Sequence, residues 1–276
     1  MVPQPPGSRR ENRKPPGEPE TAAAGEWEIK SMIAIVDYDA GNIRSVENAM
    51  KVLGEGAVLT GDPNVIAGAD RVILPGVGAF GDAMERIRAR GLEGVLQEVC
   101  RRGTPFLGIC LGLQLLFEES EESPGVRGLS ILPGKIVRFP GDMPEPVISA
   151  GSALPDEKCP QTGPDNFMDP AGSGAASPAG RFLKVPEIGW NDLTYPVNSN
   201  PRRLFRGIPE HSHVYFVHSY YLQAADPEIV AARSDYGIPF DASVESGNVF
   251  ACQFHPEKSE RIGMQILRNF LEVSVC

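Results

Sequence analysis

One cysteine of this chain stands where a nucleophile could be held. In FLGICLGLQLLFEES (106–120), Cys110 lies between Gly108 and Gly112, at the point where an apolar run gives way to a helical pattern. This spacing predicts a strand–Cys–helix turn, the geometry of a nucleophile elbow. The start of a helix favours thiolate over thiol, and the N–H of Leu111 would point toward a developing oxyanion. The spacing alone fits an inert, buried cysteine equally well.

A cysteine nucleophile needs a base, and the chain has four histidines from which to take it. His255 follows the predicted strand FACQF directly, which would bring it to the same sheet edge as Cys110. Glu257 comes two residues later, where it could orient the imidazole as the third member of a triad does. HPE alone would be an ordinary turn, but the combination predicts a Cys110–His255–Glu257 triad.

A glycine-rich loop, PGVGAFG (75–81), follows another predicted strand. It lacks the lysine of a P-loop and the spacing of a dinucleotide fingerprint. Its position suits N–H donors that face Cys110, because acyl transfer needs donors where charge develops on the carbonyl oxygen. We therefore predict an oxyanion site formed by Val77, Gly78 and Leu111.

The elements that must position these residues alternate between strand and helix. Buried strands are predicted for MIAIVDY (32–38), the start of 71–82 and TPFLGIC, and helices for 42–54, 83–102 (with a break near Gly91 and Gly94) and LGLQLLFEES (111–120). This alternation predicts a doubly wound α/β domain with a mostly parallel, mixed sheet and helices on both faces.

The C-terminal part reads as short strands followed by one helix. The predicted strands are 213–222, 228–233, 241–245 and 249–254, and SGN (246–248) forms a hairpin turn between the last two. The final predicted helix covers 259–273, with Ser259 as its N-cap.

Two segments have the composition of chain outside a core. Residues 1–31 are rich in proline, glycine and charge, which predicts a disordered tail, and Met32 is a candidate physiological start. A proline- and glycine-rich stretch at about 141–181 predicts a flexible surface insertion rather than a second domain. We therefore expect one domain over 32–276.

Composition narrows the class of function. The chain of 276 residues carries a net charge of −10, which argues against nucleic acid and an anionic membrane surface as partners. No apolar run is long enough for a membrane span, and the five cysteines show no CxxC, so we expect a cytoplasmic protein. His211 and His213 could face the same way on a strand, but a lone pair is more typical of structure than of a metal site, so we predict no metal.

The motifs resemble those of a known family. G-I-C-L-G-L-Q (108–114) together with H-P-E (255–257) resembles the class I, triad-type glutamine amidotransferases. MIAIVDYDAGNIRSVENA, PGVGAFGDAM, GWN (189–191) and YFVHSYY (215–221) narrow this to the glutaminase subunits of imidazole glycerol phosphate synthases, from histidine biosynthesis. The likeness covers 32–140 and 182–273.

The resemblance implies roles for individual residues. Cys110 would attack the side-chain amide of glutamine, His255 would move the protons, and Glu257 would orient His255. No cofactor is implied. The residues implied to hold the substrate are Gly76, Gln114, Glu122, Ser219 and Tyr220. Taken without the family, Glu122 would be a solvated charge and Gln114 an ordinary helix residue.

The resemblance also implies a partner, because ammonia released into water would be lost. This partner would be a (β/α)8-barrel cyclase that takes ammonia through its interior and makes imidazole glycerol phosphate and aminoimidazole carboxamide ribotide. The subunit alone would be weakly active, since the presentation of an oxyanion N–H by the PGVG loop would depend on the partner's ligand state. The implied interface residues are Trp190, Asn191, Tyr215 and Lys258. The family commonly has a histidine or another hydrogen-bond donor where this chain has Glu187, which leaves the detail of the interface open.

Two other functions remain open from the sequence. A γ-glutamyl hydrolase, or a glutaminase that serves another synthase, would share the Cys110 and HPE blocks but not GWN and YFVHSYY. A catalytically inactive module that only scaffolds a cyclase would not need an intact triad.

Overall fold

A mixed sheet lies at the centre of the computed structural model, which describes residues 1, 31–41, 43–143 and 182–274. The described strands are, in chain order, β1 (Ile33–Val36), β2 (Ala57–Thr60), β3 (Arg71–Gly76), β4 (Phe106–Cys110), β5 (Glu119–Ser120), β6 (Gly134–Arg138), β7 (Glu187–Asp192), β8 (His213–His218), β9 (Tyr220–Ala224), β10 (Val230–Asp235), β11 (Pro239–Ser246) and β12 (Val249–Cys252). The helices are α1 (Ile43–Val52), α2 (Pro63–Gly68), α3 (Phe80–Ala89), α4 (Glu93–Arg101), α5 (Leu111–Leu115) and α6 (Glu260–Leu271). Short 3-10 turns cover Arg203–Phe205, Pro227–Ile229 and Pro256–Lys258.

The sheet is parallel on one side and antiparallel on the other. Its order is β2-β1-β3-β4-β12-β11-β9-β6-β5, with β10 paired to β11. The first five strands in this order are parallel, whereas β11, β9 and β6 each run antiparallel to the strand before. Strands β7 and β8 form a separate antiparallel ribbon. The predicted doubly wound, mostly parallel mixed sheet is confirmed.

Both faces of the sheet are covered, as the buried run at 33–36 requires. Along β1, Ile33 and Ile35 pack into a core that also contains buried residues of α1 and α6. Ala34 and Val36 pack on the opposite face, together with buried residues of α3, α4 and α5. Side chains of a strand alternate between faces, so a strand buried on both must be apolar throughout.

The parallel register brings the predicted catalytic segments to one edge. Gly76, at the end of β3, pairs with Cys110, at the end of β4. Strand β12 lies on the other side of β4, with Cys252 opposite Ile109, and the chain reaches His255 just beyond it. The carboxyl ends of neighbouring parallel strands form the crevice where such folds bind their ligands.

Two predicted interruptions of regular structure are confirmed, the helix break near Gly91 and the hairpin turn at SGN (246–248). Helix α3 ends at Ala89 and α4 begins at Glu93, with Gly91 at a φ of 66° between them. Ser246 pairs with Val249, so a tight hairpin turn connects β11 and β12.

Two other local predictions were wrong. The helix after Cys110 ends at Leu115, because the chain turns so that Glu119 and Ser120 can pair with β6. Ser259 stands at the N-cap position of α6, but the prediction that its side chain caps the helix is wrong: its hydroxyl donates to the carbonyl oxygen of His255 at 2.6 Å and accepts from the Tyr215 N–H at 3.0 Å. It ties the segment after His255 to β8 instead.

The remaining predictions about organisation concern chain that is mostly not described. The predicted tail (1–31) and the predicted insertion (about 141–181) lie, apart from their edge residues, outside the described residues. The described residues from 31 to 274 belong to one compact unit. Among the described helices, none combines the length and hydrophobicity that crossing a membrane would require.

Candidate active site

The backbone at Cys110 is the sharp turn that the flanking glycines predicted. Its φ of 54° and ψ of −110° are strained for a residue with a side chain. A Cβ at Gly108 would lie 2.7 Å from the carbonyl oxygen of Gly112, and a Cβ at Gly112 would overlap the carbonyl oxygen of Leu74. Both glycines are therefore required because α5 packs directly against the strand ends.

We expect Gly112→Ala to destabilise the fold by about 3 kcal/mol, since the added methyl meets a backbone atom that cannot move aside cheaply. Urea unfolding would measure the loss. Gly94→Ala is the matched control: it lies in α4, its Cβ would meet nothing within 4 Å, and alanine favours a helix. Unfolding of Gly112→Ala at the urea concentration of the wild type would contradict the packing argument.

His255 and Glu257 form a buried pair beside the cysteine. His255 Nδ1 lies 2.9 Å from Glu257 Oε1, and the two side chains are 5% and 1% exposed. With Nδ1 engaged, Nε2 is the nitrogen left for Cys110. Burial acts to lower the pKa of His255, but hydrogen bonds to Cys110 and Glu257 and their charges outweigh burial and raise this pKa to about 9. The arrangement favours an imidazolium at neutral pH.

A cavity of about 310 Å³ opens over this group. Cys110 and His255 both line it, so they lie on the same side of the sheet edge. The other predicted site residues that line it are Val77, Gly78, Leu111, Gln114, Glu122, Ser219, Tyr220 and Lys258. Pro186, Val217 and His218 complete the lining, and the sequence did not single these out. A cavity of this size suits a small, polar metabolite.

Polar contacts link the cavity wall to the sulfur. Gln114 Nε2 donates to the carbonyl oxygen of Tyr220 at 3.2 Å and to Gln253 Oε1 at 3.1 Å. Gln253 Nε2 in turn lies 3.8 Å from Cys110 Sγ, which itself lies 3.9 Å from the carbonyl oxygen of Val217. Sequence reasoning missed Gln253, although a polar residue within the buried stretch FACQF was a signal for it.

Two of the residues expected to hold the substrate also have structural contacts. Glu122 Oε2 accepts from the N–H of Phe80 at 2.7 Å, so this carboxylate is anchored at the start of α3 rather than solvated. Gly76 lies behind the cavity wall: a Cβ there would come within 2.5 Å of the Tyr38 hydroxyl and 2.9 Å of Leu111 Cβ. Its lack of a side chain allows the glycine-rich loop to pack against the elbow.

Three of the four predicted interface residues form one cluster. The rings of Trp190 and Tyr215 meet edge to face with centroids 5.9 Å apart, and Lys258 Nζ lies 5.8 Å from the centre of the Tyr215 ring. Trp190 is 48% exposed, and Lys258 reaches the cavity. Asn191 differs, since its side-chain amide donates to Glu187 Oε1 on the same strand at 2.9 Å and to the carbonyl oxygen of Asp235 at 2.8 Å.

The other described thiols and the exposed histidines have different surroundings. Burial raises the pKa of Cys100 to about 12, and burial also raises that of Cys252 well above its usual value, so both stay protonated and inert.

His211 lies in the turn before β8 and bonds Asp192 at 2.6 Å, so it does not share a strand with His213 as the sequence suggested. The described residues contain no group of metal-ligating side chains.

The fold and the site together define a class of protein, the glutamine amidotransferases that place a cysteine at a strand-to-helix turn. Residues 34–273 match the family model described as glutamine amidotransferase class-I. The chain is 45% identical over 240 residues to imidazole glycerol phosphate synthase subunit HisH of Syntrophotalea carbinolica, an alignment that spans 87% of this chain and 98% of that protein. It is 43% identical over 241 residues to the HisH subunit of Moorella thermoacetica, spanning 87% and 94%. The chain therefore belongs to the class-I glutamine amidotransferase family and, within it, to the HisH group.

A comparison of folds agrees. A crystal structure of a glutamine amidotransferase superposes with a TM-score of 0.57 at 20% sequence identity, covering 87% of this chain and 97% of the other. At this level of identity the likeness establishes the architecture alone.

Proposed function

We propose that this chain is the glutaminase subunit of an imidazole glycerol phosphate synthase. It hydrolyses glutamine to glutamate and ammonia and passes the ammonia to a cyclase subunit of histidine biosynthesis. One observation carries the proposal: Cys110 and His255 line the same cavity, and Glu257 bonds the histidine from behind. The names of the relatives support the choice of synthase.

The first half of the reaction forms a thioester. The Cys110 thiolate attacks the side-chain carbonyl carbon of glutamine, and the carbonyl π electrons move onto oxygen. When the tetrahedral intermediate collapses, the C–N bond breaks and His255 gives its proton to the departing nitrogen, so that neutral ammonia leaves. Glu257 holds the imidazole in orientation throughout and favours its charged form.

The second half restores the enzyme. Water attacks the thioester carbon while His255 takes one of its protons, and the C–S bond breaks to release glutamate and the Cys110 thiolate. Each tetrahedral intermediate carries an oxyanion, for which we propose the N–H groups of Leu111 and of Val77 or Gly78 as donors. These residues line the cavity where the neighbouring strands β3 and β4 end. Gly78, at a φ of 95°, gives this loop a conformation that suits glycine.

The glutamine itself would be held by the far wall of the cavity. Glu122, which already accepts one backbone N–H, would accept from the substrate's ammonium group. Gln114, Ser219 and Tyr220 would bind the remaining polar atoms.

The partner would be a (β/α)8-barrel cyclase that covers the exposed side of the β7–β8 ribbon. Ile188 and Trp190 are two residues apart on β7, so their side chains lie on the same face of the ribbon. They are 62% and 48% exposed, which leaves an apolar surface next to the cavity. Lys258 and Tyr215 continue this surface to the cavity lining. Ammonia released from Cys110 would then pass into the partner without meeting bulk water.

A mixed assay tests the proposal. We expect glutamate release by the chain alone to be slow, and to rise at least about tenfold when the cyclase is added with its ligand, the range that coupling between two sites provides. The physical reason is that the PGVG loop completes the oxyanion site only in the assembled, liganded state.

The outcomes separate the alternatives. Equal turnover with and without the liganded cyclase would indicate a hydrolase that acts alone. An absence of turnover in every mixture, together with an absence of Cys110 labelling by diazo-oxonorleucine, would indicate an inactive scaffold. The matched control is the cyclase supplied with ammonium and no glutaminase, which reports its own competence.

A further inference from the structure

Glu187 and His218 face each other inside the protein, close to the cavity. They are directly opposed on the antiparallel β7–β8 ribbon, and their side chains are 3% and 2% exposed. His218 Nδ1 lies 2.8 Å from the carbonyl oxygen of Tyr220. A carbonyl oxygen can only accept, so Nδ1 must carry a proton.

The other nitrogen of His218 has one neighbour. Nε2 lies 3.1 Å from Glu187 Oε2, within ion-pair distance, and among the described residues neither atom has a hydrogen-bond partner. If the imidazole were neutral and the carboxylate ionised, two bare lone pairs would face each other in a buried place. A proton between them removes that conflict.

We propose that Glu187 and His218 share one buried proton, and that this pair positions the glutamine-binding side of the cavity. The positioning role rests on the proposed glutaminase function, whereas the shared proton does not. Neither residue acts on the reacting atoms, so both are positioning residues.

The surroundings hold the proton in place. The rings of Phe139, Phe216 and Phe240 lie 5.3, 5.5 and 5.3 Å from the His218 ring, so apolar groups enclose the pair. The second oxygen of Glu187 accepts from Asn191. Because a buried ionic pair is a poor source of stability, geometry is the better explanation for its presence.

A chain of contacts leads from this pair to the nucleophile. His218 holds the Tyr220 carbonyl, which Gln114 also bonds, and Gln114 contacts Gln253, whose amide reaches Cys110 Sγ. The residue before His218, Val217, places its own carbonyl oxygen 3.9 Å from the same sulfur. The protonation of the pair therefore sets the position of the wall against which glutamine would lie.

The shared proton can be observed in the chain alone. The protein has four histidines, so ¹⁵N-histidine spectra give a small set of imidazole signals that single His→Asn variants can assign. We expect both nitrogens of His218 to show the shifts of protonated or proton-sharing nitrogen at pH 8. In Glu187→Gln the new amide can donate to Nε2, so that nitrogen should take the shift of a bare one. A bare Nε2 in the wild type would refute the shared proton.

The positioning role is measured in the complex with the liganded cyclase. We expect Glu187→Gln to raise KM for glutamine about tenfold, because a hydrogen bond donated by the new amide replaces the shared proton and shifts the Tyr220 segment that His218 holds, while kcat changes less than about twofold because the triad is untouched. Glu245→Gln is the matched control: this carboxylate is equally buried and bonds Arg203 away from the cavity, so it should affect stability but not KM.

Each outcome decides a separate claim. Equal KM values for wild type and Glu187→Gln would refute the positioning role even if the spectra show the shared proton. A parallel rise in KM for Glu245→Gln would show that the effect is a general loss of stability. A wild-type complex that does not hydrolyse glutamine would refute the proposed function and the positioning role together, and the spectra would still decide the proton.

Discussion

Replacement of Cys110 by alanine is expected to reduce glutamine hydrolysis at least about 10⁴-fold, because removing a nucleophile leaves only the residual effect of the surrounding site. The substitution deletes one sulfur from a cavity wall, together with its long contacts to the Val217 carbonyl and the Gln253 amide, and alanine is no bulkier than cysteine at a position with a φ of 54°. Glutamate release in the complex with the liganded cyclase is the measurement.

The same variant should leave synthesis from added ammonium intact, because that step belongs to the cyclase. Cys252→Ala is the matched control: its thiol is fully buried on the neighbouring strand, with its sulfur 3.9 Å from the carbonyl oxygen of Gly108, and it should keep most glutaminase activity. Loss of both activities in Cys110→Ala would contradict the division of labour between subunits.

The second large effect is expected from Glu257→Gln. The amide has the size of the carboxylate but not its charge, so the imidazole loses both its orienting partner and the stabilisation of its charged form. We expect kcat to fall by about 10² to 10⁴-fold. Glu245→Gln again serves as the control for the loss of a buried carboxylate, and it should keep normal kcat.

The pH dependence gives this variant a distinct signature. Burial lowers the pKa of His255, and the contacts with Cys110 and Glu257 raise it to about 9. The acid that protonates departing ammonia is therefore present below about pH 9 and is lost as the pH rises through that value. Without the Glu257 charge one raising influence is gone, so the alkaline fall in activity should begin at lower pH. A fall at the wild-type pH would show that Glu257 does not set the charge of His255.

The triad residues show how much of the candidate active site could be predicted from the sequence. The elbow was predictable because its demands are local: a strained turn at Cys110 needs small neighbours, and Gly108 and Gly112 are within two residues. His255 was predictable through one tertiary rule, that parallel strands end at the same edge. Glu257 comes two residues after His255, so a short turn is enough to bring its carboxylate within hydrogen-bond distance of His255 Nδ1.

The errors came where tertiary contacts compete with local preference. The helix after Cys110 was predicted too long because its apolar residues fit a helical run, whereas pairing of Glu119 and Ser120 with β6 ends it early. Ser259 has the type and the position of an N-cap, but its hydroxyl donates to the carbonyl of His255 and accepts from the Tyr215 N–H, so it caps no N–H of α6. Neither competitor is visible in the local sequence.

The pairing of Glu187 with His218 marks the limit of the sequence most clearly. In the segment KVPEIGWN, the sequence shows Glu187 only as a residue that differs from the family's usual one at the predicted interface. Nothing nearby in the chain identifies its partner. Only the antiparallel register of β7 and β8 sets the two side chains opposite each other, and only the surrounding phenylalanine rings remove the water that would otherwise separate them.

The sequence by itself determined the class of fold, the elbow at Cys110 and the class of chemistry, because strands buried on both faces and glycine-bounded turns leave a local pattern. The tertiary structure alone decided that Gln253 reaches the sulfur, that Glu122 is anchored rather than solvated, and that a glutamate and a histidine meet without water. Those contacts depend on register and burial between segments far apart in the chain, and no local preference encodes them.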